Sequence, residues 1–144
     1  MTDLPEFDLE RFTPYRLAVA AQKTSEGLAR LYRHRFGISI PEWRVLVHVA
    51  HAGDTSVRDI EAQVMMEKSK VSRAASRLAA AGYIAKQASK TDRRLVQMSL
   101  TEKGKGLMSE LLPLALSYQR SLEAHLGDGL DGFEAGIARL LEEF

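Results

Sequence analysis

The sequence predicts a mainly α-helical fold with one small β-hairpin, and three observations support this prediction. Apolar residues recur at helical spacing over most of the 144 residues. The period changes only between residues 83 and 100, where β-branched and alternating residues flank a polar turn. A hydrophobic share of 45% and a charged share of 27% are typical of a single soluble globular domain. A disordered tail, a fibrous repeat and a membrane protein are therefore excluded.

The first helix is predicted over residues 12–36, and Gly37 provides its C-terminal stop. Its apolar stripe consists of Leu17, Ala20, Ala21, Leu28, Leu31 and Tyr32. Ser39-Ile40-Pro41-Glu42 then reads as a capping box, in which the Ser hydroxyl and the Glu carboxylate satisfy amides at a helix start. The short helix that follows is apolar on nearly every side through Ala50. We therefore expect it at the centre of the core.

Two more short helices are predicted next. Ser56-Val57-Arg58-Asp59 is a second capping box, and it opens a helix through about Val64. The other helix runs over about residues 68–81 and stops at Gly82. Its apolar positions are spaced i, i+4 and i+7, at Val71, Ala75 and Leu78. That spacing defines an inward face and leaves the other side of the helix to solvent.

The hairpin and two terminal helices complete the chain. Strands are predicted within residues 83–87 and 94–100, joined by the polar loop 88–93. Thr101 is expected to cap a long helix that bends at Pro113 and carries Leu107, Leu111, Leu114, Tyr118 and Leu122. Gly127-Asp128-Gly129 ends this helix, and a last helix carries Phe133, Ile137, Leu140 and Leu141.

Two short helices joined by a tight turn and followed by a hairpin form a winged helix-turn-helix. An α-helix fits the major groove of B-form DNA, where each base pair displays a distinct pattern of donors and acceptors. In this arrangement the first helix braces the second, and the hairpin reaches the neighbouring backbone or minor groove. The order of elements therefore predicts a DNA-binding lobe.

The distribution of charge agrees with a polyanionic partner, although the net charge of the chain is only +1. Residues 68–94 contain eight basic residues and one acid, a net charge of +7, so the rest of the chain carries −6. Such an asymmetry is the electrostatic footprint of nucleic-acid binding. The alternative interpretation is a solvated charged surface, which is the usual meaning of a charge run.

The candidate DNA contacts follow from this segment. On the outward side of the recognition helix they are Lys68, Ser69, Lys70, Ser72, Arg73, Ser76 and Arg77. Hydroxyls and long cations bond phosphates and base edges, and Arg can form a fork with guanine. In the wing the candidates are Lys90, Arg93 and Arg94, although a solvated hairpin tip is the alternative there. Asp92 is interpreted as fixing the loop backbone or holding an adjacent arginine.

Other function classes have little support. Cysteine is absent, which excludes disulfides, thiolate metal sites and cysteine nucleophiles, and suits a reducing compartment. His48 and His51 lie three residues apart without an obvious third metal ligand. No H-E-x-x-H, G-x-S-x-G or Gly-rich phosphate loop occurs. No apolar stretch is long enough to cross a membrane. We expect a cytoplasmic protein with no enzymatic activity, metal or cofactor.

Three motifs resemble the MarR-type transcriptional regulators. Residues 92–104 are similar to the wing signature of that family, D-x-R followed by L-T-x-x-G. Lys70-Val71-Ser72-Arg73, with Leu78 and Gly82-Tyr83-Ile84, resembles the recognition helix and its exit into the wing. Pro41-Glu42-Trp43-Arg44-Val45-Leu46 is similar to the second helix of the family. The motifs stand in the family's order and spacing, and the likeness extends over nearly the whole chain.

The resemblance implies a homodimeric regulator, most often a repressor, that binds a pseudo-palindromic operator and is released by a small ligand. It implies a dimerisation region from residues 1–36 and 102–144 and a DNA-binding lobe from residues 37–101. The residues independently favour a dimer, because apolar side chains near both ends exceed the needs of one small core: Phe7, Leu9, Phe12, Phe133, Ile137, Leu140, Leu141 and Phe144. Two recognition helices about one DNA turn (~34 Å) apart read a palindrome.

The resemblance also implies an effector cleft between the dimerisation helices and the DNA-binding lobe, where small aromatic acids bind. Segments that could line it supply Tyr15, Arg16, Trp43, Arg44 and His48, and either arginine could pair a carboxylate. The alternative places Trp43 in the core, Arg44 in an ion pair and Tyr15 at the dimer seam. A cysteine-based peroxide sensor is excluded. The competing function is a winged-helix protein-interaction module, which leaves the basic segment unexplained.

Overall fold

The computed structural model describes residues 2–53, 55–64, 66–92 and 94–143, and most of them are helical. The helices are α1 (Thr13–Phe36), α2 (Ile40–Ala52), α3 (Val57–Val64), α4 (Lys68–Ala80), α5 (Glu102–Leu126) and α6 (Leu130–Glu143). The strands are β1 (Thr55–Ser56), β2 (Ile84–Ala88) and β3 (Val96–Leu100), and short 3-10 turns occupy Leu9–Arg11 and Gly127–Gly129. The predicted fold class, mainly helical with a β wing, is confirmed.

The chain forms two compact units, residues 1–108 and residues 109–144, and the boundary falls within α5. The first unit contains α1 to α4, the small sheet and the first turns of α5. The second contains the remainder of α5 and α6.

Helix boundaries in the first unit follow the capping residues that the sequence predicted. Gly37 adopts a left-handed conformation with φ of 66° and its N–H bonds the Arg33 carbonyl, which ends α1. The Ser39 hydroxyl oxygen accepts from the Glu42 N–H at 3.3 Å and starts α2. The Glu42 carboxylate accepts from the Ser39 hydroxyl at 2.8 Å, whereas the capping box predicted a bond to an amide. Ser56 caps α3 by accepting from the Asp59 N–H at 3.1 Å.

The sheet has one strand more than the sequence predicted. Its order is β1-β3-β2 with antiparallel pairs, so β3 lies in the middle. Thr55 pairs with Met98 in β1, and Ile84 pairs with Leu100 in the hairpin. Strand β1 has only two residues, too few to show an alternating pattern, and it is recognisable only through its pairing with β3.

The core of the first unit lies around α2 and the inward face of α4. Val45, Leu46 and Val49 of α2 are fully buried, which confirms the predicted central position of this helix. On α4, Val71, Ala75 and Leu78 are fully buried as predicted, and Ala74 joins them. Burial of these side chains gives α4 one orientation, with its polar side outward.

The L-T-x-x-G motif brings the start of α5 against the turn that follows α4. The Thr101 hydroxyl donates to the Gly82 carbonyl at 2.6 Å and accepts from the Gly104 N–H at 3.0 Å. A Cβ atom at Gly104 would collide with the backbone carbonyl of Tyr83. The motif therefore needs a hydroxyl at Thr101 and no side chain at Gly104, because the start of α5 touches the turn that follows α4.

The second unit consists of helices that carry exposed apolar side chains. The most exposed of these are Leu116 and Leu141, at 58% and 76% of the side chain's full accessibility. Leu112, Phe133 and Leu140 are exposed as well. Among the helices in the described part of the chain, none has the length and apolar character that crossing a bilayer requires.

Candidate nucleic-acid interface

The outward face of α4 carries the side chains that the sequence assigned to DNA. Because Val71, Ala74, Ala75 and Leu78 are buried, the rest of the helix surface is left to polar residues. Ser72 is half-buried, and the exposed residues are Lys68, Ser69, Lys70, Arg73, Ser76 and Arg77. No Asp or Glu occurs between residues 68 and 80. The structure thus brings the predicted recognition residues together on one cationic face.

The two arginines of α4 have different surroundings. The Arg73 Nε donates to the Ser69 carbonyl at 3.3 Å, which holds the side chain along the helix toward its N-terminus. This bond uses only Nε, so the two terminal nitrogens can form a fork. Arg77 instead lies 3.8 Å from the Glu42 carboxylate, which is only 14% exposed, and so links α4 to the start of α2. The sequence did not show this ion pair.

The wing contacts α4 through a lysine. The Lys86 Nζ on β2 donates to the Ser76 hydroxyl at 3.2 Å. Ser76, predicted as a DNA contact, therefore also joins the recognition helix to the wing. Lys86 was counted in the basic segment but not among the predicted site residues. Its charge was visible in the sequence, whereas its proximity to α4 depends on the return of the chain along β2.

The wing loop is organised by two side chains at its ends. Ser89 is 5% exposed, and its hydroxyl accepts from the Thr91 and Asp92 amides at 3.3 and 3.2 Å. The Asp92 carboxylate accepts from the Arg94 N–H at 3.0 Å and from the Arg94 guanidinium at 3.2 and 3.3 Å. Asp92 thus both fixes the backbone and holds an arginine. These bonds to Arg94 lower the pKa of Asp92, because they favour the ionised carboxylate.

Of the three predicted wing cations, Lys90 and Arg94 are exposed. Arg93 lies outside the described residues, so its predicted role stays a prediction. Arg94 keeps a highly exposed side chain despite its pair with Asp92. Ser89 was missed by sequence reasoning, because a serine in a polar loop carries no signal of burial.

An open groove of about 350 Å³ runs between α3, α4 and the wing. Its walls include the cations Arg58, Lys68, Lys86 and Arg94, the hydroxyls of Ser72 and Ser76, and the carboxylate of Glu61. Arg58 and Glu61 were not among the predicted site residues, since α3 was interpreted only as the bracing helix. Cations outnumber the carboxylate among the described residues of its lining, which favours an anionic ligand.

The five candidate effector residues lie in two groups within one chain. Trp43 is half-buried and stacks on Tyr32 with ring centroids 5.3 Å apart, and the His48 Nδ1 lies 3.0 Å from the Arg44 carbonyl oxygen. Tyr15 and Arg16 are exposed near the start of α1. At 1.5 Å per residue, Tyr15 is about 25 Å along the helix from Tyr32. Burial raises the pKa of Tyr32 to about 12, so its hydroxyl stays protonated.

Comparison with known proteins agrees with this architecture. Residues 36–95 match the MarR family. The transcriptional regulator MhqR of Bacillus subtilis (strain 168) is 29% identical over 80 residues, which are 56% of this chain and 55% of MhqR. The chain spans little more than half the length of the curated relatives it matches.

Two solved structures extend the likeness to almost the whole chain. A MarR family transcriptional regulator from Silicibacter pomeroyi DSS is 27% identical with a TM-score of 0.79, and the match covers 93% of this chain and 88% of that one. BpsR of Bordetella bronchiseptica is 19% identical with a TM-score of 0.81, covering 97% and 99%. The resemblance to MarR-type regulators that the motifs indicated is confirmed.

Proposed function

We propose that this MarR-type winged helix-turn-helix protein is a sequence-specific DNA-binding transcriptional regulator that acts as a homodimer on a pseudo-palindromic operator. The single observation that supports this most strongly is the cationic face of α4, which is continuous with the cation-lined groove beside the wing. Binding through such a face suits double-stranded DNA, whose backbone is uniformly negative. This function lies in the cytoplasm with the DNA and involves no catalysis, metal or cofactor.

Within this proposal the residues of α4 divide between bases and phosphates. Arg73 and Ser69 read base edges in the major groove, since the terminal nitrogens of Arg73 suit O6 and N7 of guanine. Lys70 and Ser72 are shared between base edges and backbone. We assign Arg77 mainly to phosphate, because its pair with Glu42 holds the guanidinium beside α2. Lys90, Arg93 and Arg94 contact the backbone or the minor groove next to the wing.

The dimer is supported by exposed apolar side chains at both ends of the chain. In the first unit Leu4, Phe7, Leu9 and Phe12 are exposed, and the rings of Phe7 and Phe12 are 4.9 Å apart. In the second unit Phe133, Leu140 and Leu141 are exposed and Ile137 is half-buried, whereas Phe144 lies outside the described residues. Clusters of exposed apolar side chains favour a protein interface. We propose that residues 1–36 and 102–144 form the dimerisation region and residues 37–101 the DNA-binding lobe.

We further propose that the protein acts as a repressor and that a small aromatic or phenolic ligand releases it. BpsR, which shares the fold, is regulated in its DNA binding by 6-hydroxynicotinic acid. In one chain Tyr15 and Arg16 are distant from Trp43, Arg44 and His48, so a pocket lined by all five needs residues of both protomers. Against this, the stacking of Trp43 on Tyr32 also suits a purely structural role for Trp43.

In vitro selection of bound duplexes from a random pool tests the proposed function. We expect enrichment of a motif with two-fold symmetry whose half-sites are about one helical turn (~34 Å) apart. Absence of enrichment contradicts sequence-specific binding, and an enriched motif without symmetry contradicts the dimeric mode.

The alternative function is a winged-helix module that binds another protein. The dependence of affinity on salt concentration distinguishes it from DNA binding. Binding through phosphates weakens linearly in log affinity against log salt, with a slope of about −0.9 per contact. An apolar protein interface lacks this dependence.

A further inference from the structure

Glu61 is an unusual residue in the wall of the groove between α3, α4 and the wing. It is the one carboxylate among the described residues that line this groove, where the other charged residues are Arg58, Lys68, Lys86 and Arg94. Its Oε1 is shielded from solvent, and no described residue donates a hydrogen bond to it. The ion pairs found among the described residues do not include Glu61.

A shielded carboxylate oxygen without a donor is costly for the free protein, because water no longer solvates it. Other acids near this surface are partnered: Asp92 holds Arg94, and Glu42 holds Arg77. Among the described residues, no ion pair of this kind involves Glu61. The cations Arg58, Lys68, Lys86 and Arg94 line the same groove, so Glu61 offsets part of their positive charge there.

We propose that Glu61 lowers the affinity of this groove for the DNA backbone, whatever the base sequence. The inference rests on the proposed DNA binding. Phosphates that enter the groove meet the four cations, but they also meet the like charge of Glu61. The backbone carries the same charge in every sequence, so the repulsion weakens operator and unrelated DNA together. The result is a complex that dissociates readily despite a strongly basic surface.

The experiment measures affinity against salt concentration for the full chain and for Glu61→Gln, on a selected operator and on an unrelated duplex. For Glu61→Gln we expect affinity to rise on the order of three- to tenfold on both duplexes, as for removal of one like charge in a partly screened site. The slope of log affinity against log salt becomes steeper, because the groove presents one more net positive charge to the phosphates.

Two further variants make the result specific. Asp59→Asn removes the same charge from the same helix, but Asp59 is exposed and does not line the groove. We expect it to leave the slope unchanged. Glu61→Ala tests whether the gain in Glu61→Gln comes from a new amide donor to phosphate. The alanine variant lacks that donor, and it must show the same steeper slope.

The inference fails if Glu61→Gln binds both duplexes with wild-type affinity and slope. It also fails if the variant loses affinity for the operator alone, which would assign Glu61 to the amino group of a base. A wild-type protein that binds neither duplex at low salt overturns the proposed function itself. Failure of the two proposals is therefore distinguishable.

Discussion

The surface formed by α4 and the wing differs from the chain ends in the polarity of its exposed side chains. Around α4 the polar groups contact one another, as Lys86 does with Ser76 and Asp92 with Arg94. At the chain ends the exposed side chains are apolar, and Leu4 and Leu141 are 88% and 76% exposed. The first surface thus presents polar groups that contact one another, whereas the second presents apolar side chains to water.

The difference indicates two different kinds of partner. Exposed cations are well solvated, so they impose little cost on the free protein and attract a polyanion over a distance. Exposed leucine and phenylalanine are unfavourable in water, and their burial is worth roughly 1.5–3 kcal/mol for each side chain. The first surface is expected to bind reversibly with a strong salt dependence. The second is expected to be covered permanently, by a second copy of the chain.

The largest effect is expected from truncation before Asp128, which removes α6 with Phe133, Leu140 and Leu141. Losing three apolar side chains from an interface costs several kcal/mol, so the dissociation constant of the dimer should rise by at least about 100-fold. Sedimentation measures this directly. Leu141→Asp, which keeps the helix, should shift the same equilibrium in the same direction, and Glu143→Gln serves as its control. A truncated chain that stays dimeric at micromolar concentration contradicts the assignment.

A smaller effect is expected for Arg73→Ala on the cationic surface. Loss of a forked arginine–guanine contact costs about 1–3 kcal/mol, or roughly a 5- to 150-fold loss of operator affinity. The thermal midpoint should stay within a degree or two, since Arg73 is exposed and its one internal bond is to its own helix. Arg30→Ala, at an exposed position of α1, is the matched control. Unchanged operator affinity in a gel-shift titration removes Arg73 from the interface.

The smallest effect is expected for Lys90→Ala in the wing. Loss of one phosphate contact should make the slope of log affinity against log salt shallower by about 0.9, on operator and unrelated DNA alike. Lys23→Ala, at an exposed position of α1, should leave the slope unchanged. A wild-type slope for Lys90→Ala would show that the wing does not contact the backbone.

The fold was largely predictable, because its signals are local. The inward face of α4 followed from the spacing of Val71, Ala75 and Leu78, and helix starts followed from Ser39, Ser56 and Thr101. A capping hydroxyl bonds an amide two or three residues away, so the sequence contains both partners of that interaction. The L-T-x-x-G motif could be seen but not explained, since the carbonyl that excludes a side chain at Gly104 belongs to Tyr83.

The candidate site was predictable in part. Sequence reasoning found the cations of α4 and the wing from their charge and periodicity. It missed Arg58, Glu61 and Lys86 as groove residues and Ser89 as the organiser of the wing loop. Each of these acquires its role from a neighbour on another element or from burial. The same applies to Arg77, whose pair with Glu42 joins residues far apart in the chain.

By itself, the sequence determined the order of the elements, the outward face of the recognition helix and the segregation of basic charge into residues 68–94. These properties depend on the hydrophobic periodicity, on helix-capping residues and on the positions of charged residues, all of which can be seen within short stretches of sequence. Only the tertiary structure decided that β1 joins the sheet, that Arg77 is held beside α2 and that the Oε1 of Glu61 is shielded without a hydrogen-bond donor among the described residues. Those outcomes depend on which elements pack together, because burial and long-range contacts exist only once the chain has folded.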